Sequence, residues 1–130
     1  MMYHHQTPVL LRHTDAAGVI YFAEMLSLCH SAYEAMLDDS GLSMAELFGD
    51  APLGMPIVHA EVDLTKPVRV RDRLDVRITC LRLGNTSFTL GYEVTRKSQE
   101  VARAQTVHVA IDGDGVKCPL PSRWRQMLGG

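Results

Sequence analysis

Phe22-Ala23-Glu24-Met25-Leu26-Ser27-Leu28-Cys29-His30-Ser31-Ala32-Tyr33-Glu34-Ala35-Met36-Leu37-Asp38-Asp39 is the stretch that decides the fold. Phe22, Met25, Leu26, Cys29, Tyr33, Met36 and Leu37 recur at spacings of three and four, which marks one apolar face of a helix. Ser40-Gly41 closes it, with glycine suited to the left-handed position after a helix. No other segment carries so long a helical period.

Around this helix the chain reads in twos. Tyr3 to His13, with Thr7, Val9 and Leu11 in alternation, suits a first strand. Ser43 to Phe48 reads as a short helical turn, with Ser43 and Glu46 in capping-box spacing, and Gly49, Asp50, Pro52, Gly54 and Pro56 mark a loop. Strands follow from Ile57 to Thr65, from Leu74 to Cys80, from Phe88 to Val94 and from Val101 to Ile111. Gly84-Asn85, Ser98-Gln99 and Asp112-Gly113-Asp114-Gly115 punctuate them, and Ser122 to Leu128 adds a short terminal helix. The expected order is strand, long helix, then four strands in an antiparallel meander, an α+β arrangement. One helix covers only one face of such a sheet. The sheet is expected to curl around the helix and to hide its remaining face or edge against a second copy.

A chain of 130 residues holds one domain, residues 1–130. With 46% hydrophobic residues there is enough apolar material for one core. The net charge of −2 argues against nucleic acid as a partner. Cys29, Cys80 and Cys118 are odd in number and form no CxxC, which argues against a disulfide framework or a zinc site. His4, His5, His13 and His108 show no metal-ligand spacing and read as non-metal positions. No basic and apolar leader opens the chain and no window is apolar enough to span a membrane, so a cytoplasmic protein is expected.

The chemistry concentrates in His13-Thr14-Asp15-Ala16-Ala17-Gly18-Val19-Ile20-Tyr21-Phe22. A carboxylate before a helix sits near the positive end of the helix dipole. The first helical N–H groups lack intrahelical partners and can donate to an anion or a polarised carbonyl. Such a pairing can run acyl transfer, the donors stabilising an oxyanion while the carboxylate attacks or activates water. The same residue types equally describe a plain helix cap, because Asp is a common N-cap. Spacing alone leaves both readings of Asp15 open.

That run resembles the D-x-x-G-x-x-Y/F signature of the 4-hydroxybenzoyl-CoA thioesterase family of hotdog proteins. The resemblance continues in Val58-His59-Ala60-Glu61-Val62-Asp63, Lys66-Pro67, Asp72-Arg73-Leu74, Ala102-Arg103-Ala104-Gln105-Thr106 and Pro119-Leu120-Pro121. A narrower likeness, to the 1,4-dihydroxy-2-naphthoyl-CoA thioesterases of phylloquinone and menaquinone synthesis, rests on Cys29-His30-Ser31-Ala32-Tyr33-Glu34, Pro56-Ile57-Val58-His59-Ala60, Val107-His108-Val109 and Trp124.

The resemblance implies a hotdog fold, with about five strands wrapped around one central helix, and hydrolysis of an aromatic acyl-CoA thioester. It implies Asp15 as the catalytic carboxylate, the Phe22 backbone N–H as donor to the thioester carbonyl, and Gly18 as the point of close backbone approach. Tyr21, His30 and His59 are the candidate acyl-binding residues. His30 stands where many family members carry an acid, and either contacts a ring hydroxyl or packs between helix and sheet. Arg103, Arg96, Lys97 and Arg82 are the candidate CoA contacts, with Lys66, Arg69 and Arg71 as further basic residues. No cofactor or metal is implied beyond the CoA of the substrate, and a homodimer paired into a homotetramer is expected. The competing readings are a thioesterase for 4-hydroxybenzoyl-CoA or a short-chain acyl-CoA, and a non-catalytic acyl-CoA-binding or assembly protein.

Overall fold

The computed structural model describes residues 1–42 and 53–129. The expected turn over Ser43–Phe48, with its Ser43 and Glu46 box, and the loop residues Gly49, Asp50 and Pro52 lie outside the described residues. Five strands form one antiparallel sheet: β1 (Met2–Pro8), β2 (Ile57–Leu64), β3 (Arg73–Leu83), β4 (Ser87–Arg96) and β5 (Gln99–Val109). Helix α1 (Phe22–Asp39) packs on one face, and a short helix α2 (Ser122–Gly129) follows the last strand.

Helix α1 begins and ends where its periodicity places it. Gly41 takes φ +75°, and the Leu42 N–H donates to the Leu37 carbonyl at 3.1 Å, which stops the helix. Its inner face is Met25, Leu28, Cys29, Ala32, Tyr33, Met36 and Leu37. Phe22 departs from the expected apolar face and is 59% exposed, because it stands at the helix mouth rather than over the sheet. The sheet answers with Leu74, Val76 and Ile78 of β3 and Phe88, Leu90, Tyr92 and Val94 of β4, all buried at alternate positions. Each fully buried aliphatic or Phe side chain contributes about 1.5–3 kcal/mol. The Cys29 thiol lies in this layer, and burial pushes its pKa up to about 12.

The first strand is shorter than its alternation suggests. It ends at Pro8, and Leu11–His13 form a single 3-10 turn. The Leu10 N–H donates to His13 Nδ1 at 2.9 Å instead of to a neighbouring strand, so the chain coils there.

The strand order is β1-β3-β4-β5-β2, so only β3, β4 and β5 form a meander. The expected four-strand meander is corrected here: β2 pairs not with β3 but with β5, from Ile57↔His108 to Leu64↔Ala102. Lys66-Pro67 interrupts pairing after β2, since proline cannot donate to a ladder, and the chain crosses to the other side of the sheet. The β4–β5 tip is Lys97-Ser98, with φ of +50° and +66°, a two-residue turn that matches the strand twist. Gln99 is therefore in β5, paired with Arg96, rather than in the turn. Strand β2 is an edge, and apart from Val62 every residue in it is exposed.

Candidate active site

The loop between β1 and α1 is a tight hairpin. Thr14 and Ile20 form a bridge, the Asp15 N–H donates to the Val19 carbonyl at 2.9 Å, and the Tyr21 N–H donates to the His13 carbonyl at 2.9 Å. Asp15 does not cap the helix: the N-cap is Tyr21, whose side chain makes no cap hydrogen bond. Asp15 Oδ1 instead accepts from the Ala17 N–H at 2.8 Å, an Asx-turn within the loop. The expectation of Asp15 at the helix start is corrected accordingly, because a small-residue turn stands between them. Gly18 has φ +82°, which a side chain would strain, and open space lies where its Cβ would point.

This loop is anchored from three sides. His13 is buried and its ring accepts the Leu10 N–H. Ile20, also buried, donates its N–H to the Val68 carbonyl at 2.7 Å, and Val19 bridges to Arg69. The 66–72 link is itself clamped to β4, since Arg96 Nη1 donates to Asp72 Oδ2 at 2.7 Å and to the Pro67 carbonyl at 2.9 Å. Burial alone would raise the Asp72 carboxyl, but the Arg69 N–H and the Arg96 guanidinium outweigh it and hold its pKa below the usual range. The Asp15 carboxylate is exposed, at the open end of this rigid turn.

Phe22 opens α1, so its N–H lies outside the intrahelical ladder, and among the described residues no backbone carbonyl takes it. The exposed rings of Tyr21 and Phe22 meet at 4.8 Å between centroids. Carboxylate, glycine turn and helix N-terminus thus follow one another in one short hairpin. An ionised carboxylate with amide donors nearby is the minimal equipment for attack on a thioester carbonyl.

A cavity of about 310 Å³ opens farther along the helix, lined by Leu26, Ser27, His30, Ile57, Ala60, Tyr92 and Thr106. This is within the size range of small-molecule sites. His30 joins it from α1, with Nε2 3.4 Å from Glu34 and its ring 5.6 Å from Tyr33. His59 does not line it. That residue sits exposed on β2, 3.1 Å from Glu61.

The basic candidates are dispersed. Arg103 lies on the outer sheet face and donates to Glu100 at 3.0–3.1 Å. Arg96 is engaged by Asp72, and Lys97 is exposed at the β4–β5 tip. Arg82 pairs with Thr89 near the opposite end of β4, a strand of ten residues and so roughly 30 Å long. One chain does not bring these four together. Lys66, whose Nζ donates to Gln99 Oε1 at 3.1 Å, lines a cavity of about 260 Å³ with Val19, Ile20, Leu64 and Val68, and Arg69 bridges to the same loop at Val19. Among the described residues no cluster of His, Cys, Asp or Glu could hold a metal ion, and no helix is long and apolar enough to cross a membrane.

The sequence reading missed a buried polar chain in the cavity wall. Tyr92 Oη and Thr106 Oγ1 are 3.0 Å apart, and Thr106 Oγ1 lies 2.8 Å from His108 Nε2. The available signal was the inward register of β5, which sends two polar residues, Thr106 and His108, toward the core in succession. His108 is fully buried, stacked on Phe88 at 4.6 Å. Burial, with His30 nearby adding to it, pushes its pKa down to about 4 from 6.5.

The unfolded state therefore binds this proton first, and stability is complete above pH 6.5 and declines as pH falls toward 4. The loss attributable to His108 is on the order of 3 kcal/mol. Urea denaturation across this range, at constant protein concentration, should show a slope in the wild type that His108→Phe flattens.

The comparisons agree with this architecture. The model of the thioesterase-like superfamily matches residues 9–128. The 1,4-dihydroxy-2-naphthoyl-CoA hydrolase of Synechococcus elongatus is 38% identical over 128 residues, covering 97% of this chain and 94% of that protein. The enzyme of the same name from Rippkaea orientalis is 45% identical over 107 residues, covering 80% and 78%. The crystal structure of a 1,4-dihydroxy-2-naphthoyl-CoA thioesterase from Synechocystis superposes with a TM-score of 0.94 at 35% identity, covering 99% of this chain and 96% of that one. A 4-hydroxybenzoyl-CoA thioesterase complex, at 17% identity and a TM-score of 0.86, shares the fold. The chain belongs to the thioesterase-like superfamily, as a thioester hydrolase of the hotdog fold.

Proposed function

We propose that this protein hydrolyses an aromatic acyl-CoA thioester, 1,4-dihydroxy-2-naphthoyl-CoA, in phylloquinone or menaquinone synthesis, with Asp15 as the catalytic carboxylate. The observation that carries the reading is the exposed carboxylate of a rigid Asx-turn leading into a helix N-terminus, in a chain whose relatives of near-equal length bear that activity in their names. The thioester carbonyl accepts from the Phe22 N–H, and Gly18 lets the substrate pass close to the backbone. Either water adds to the carbonyl carbon directly, or the Asp15 carboxylate adds first and water then cleaves the mixed anhydride; in both routes the C–S bond breaks, coenzyme A leaves as its thiol, and the aromatic acid is freed. Asp15 serves either as nucleophile or as the base that takes the water proton, and both roles need it ionised.

The aromatic acyl group belongs in the cavity beside His30, with Tyr21 as the candidate contact from the loop before α1. Leu26 and Ser27 lie about 6–8 Å along the helix axis from Phe22, a short step from the carbonyl donor. Lys66 is the best-placed cation for the CoA phosphates, while Arg103, Arg82 and Lys97 could reach a CoA bound to a neighbouring copy. The unpaired, exposed edge of β2 supports a homodimer, paired again into a homotetramer, in which His59 faces the partner's site. The single domain works in the cytoplasm with no cofactor beyond the substrate's own coenzyme A.

A panel of acyl-CoAs read by thiol release tests the substrate. Turnover of 1,4-dihydroxy-2-naphthoyl-CoA should exceed that of 4-hydroxybenzoyl-CoA and acetyl-CoA by at least about a hundredfold in kcat/KM. Equal rates on acetyl-CoA would remove the aromatic reading.

A further inference from the structure

We propose that Tyr92 is the hydrogen-bond donor that selects acyl groups bearing a ring oxygen, held in that role by the buried chain through Thr106 to His108. The inference rests on the aromatic thioesterase reading and deepens it.

The argument begins at the far end of the chain. His108 has no exposed surface, and its ring stacks on Phe88 and meets Tyr33 at 4.8 Å. Among the described residues its Nδ1 has no hydrogen-bond partner. A neutral imidazole carries one N–H. A buried N–H without an acceptor is rarer and costlier than a bare acceptor, so the proton belongs on Nε2, the nitrogen that reaches Thr106. The low His108 pKa is consistent with a neutral ring at any ordinary pH.

This choice sets the direction of the first bond, and the acceptors available to Thr106 set the second. His108 Nε2–H donates to Thr106 Oγ1. Thr106 Oγ1 has no other acceptor for its proton among the described residues, so the Thr106 hydroxyl donates to Tyr92 Oη. Tyr92 has then accepted within the wall and its phenol proton remains to be donated. Tyr92 and Thr106 both line the cavity of about 310 Å³, whose other walls include the apolar Leu26, Ile57 and Ala60. Burial raises the Tyr92 pKa to about 12, so the phenol keeps its proton. A ring hydroxyl or quinol oxygen in that cavity offers the acceptor, and an unsubstituted ring does not.

The test compares 1,4-dihydroxy-2-naphthoate with 2-naphthoate, which lacks both ring hydroxyls. Calorimetric titration of each free acid under nitrogen reads binding without turnover. The wild type should prefer the dihydroxy acid by about tenfold. Tyr92→Phe, which keeps the ring, should reduce the preference to about twofold or less and leave 2-naphthoate affinity unchanged. Thr106→Val, which frees the Tyr92 hydroxyl to turn, should reduce it about threefold and carries the test if the first variant does not fold. A preference that survives substitution, equal losses for both acids, or no preference in the wild type each overturn the proposal. Hydrolysis of the two CoA esters separates it from the proposed reaction. Loss of preference in a protein that hydrolyses neither ester sinks the reaction but keeps the Tyr92 role, and turnover with an unaltered preference does the reverse.

Discussion

Asp15→Asn lowers kcat by about three orders of magnitude and leaves KM within about threefold. The substitution is informative because it spares the loop. Asn retains the Oδ1 acceptor that holds the Ala17 N–H, so the Asx-turn and its bridge to Ile20 persist. What disappears is the negative charge, which matters in the transition state far more than in the substrate complex. Steady-state thiol release with circular dichroism on the same preparation checks both halves. A non-catalytic acyl-CoA-binding protein would show no change in rate, and a purely structural Asp15 would lose its fold or its affinity instead.

The largest effect on stability is expected at Trp124. Trp124→Ala lowers it by about 3–5 kcal/mol, which corresponds to a fall in Tm of roughly 10–20 °C. Trp124 is 1% exposed on α2 and meets Phe88 at 5.9 Å, so this ring, with Leu128 beside it, joins the last helix to the core. Trp124→Phe should cost much less. It keeps the aromatic packing and removes an Nε1–H that has no partner among the described residues, whose loss forfeits no hydrogen bond. Thermal melts of the three proteins at one concentration decide the matter, since an associating protein has a concentration-dependent Tm. Equal melting of Trp124→Ala and wild type would detach α2 from the core.

The sequence declares the end of helix α1, because apolar period and terminating glycine agree at Asp39 and Gly41, whereas at the start Asp15 reads as a cap well before the first helical residue, Phe22. The inner positions of β3 up to Ile78 and of β4 are equally plain, since both stretches alternate between a buried and a more exposed face. Strand pairing is another matter. Strand β2 is exposed on both faces, so its residues carry no pattern that names a neighbour, and its partner β5 lies some forty residues on. Asp15 illustrates a second limit. An Asp that caps a helix and an Asp that closes a turn use the same oxygen on the same kind of amide, so local chemistry cannot separate them. The family resemblance singled out Asp15, and only the fold showed that it stands in a turn. Tyr92 was hidden differently. In an alternating strand it counts as one more large apolar residue, and its hydroxyl matters only once Thr106 is placed beside it by the β4–β5 ladder.

The clamp of Arg96 on the 66–72 link separates two kinds of hereditary change. The link braces the Asp15 loop through Val68 and Arg69, whereas the acyl cavity is walled by α1, β2, β4 and β5. On the proposed reading, replacements in the cavity retune which acid is released without moving the Asp15 carboxylate. A lineage can thus trade one acyl group for another by substitutions at Leu26, Ser27, His30 or Ile57 and stay active at every step. Insertions in the link would meet the opposite fate, disabling all substrates at once.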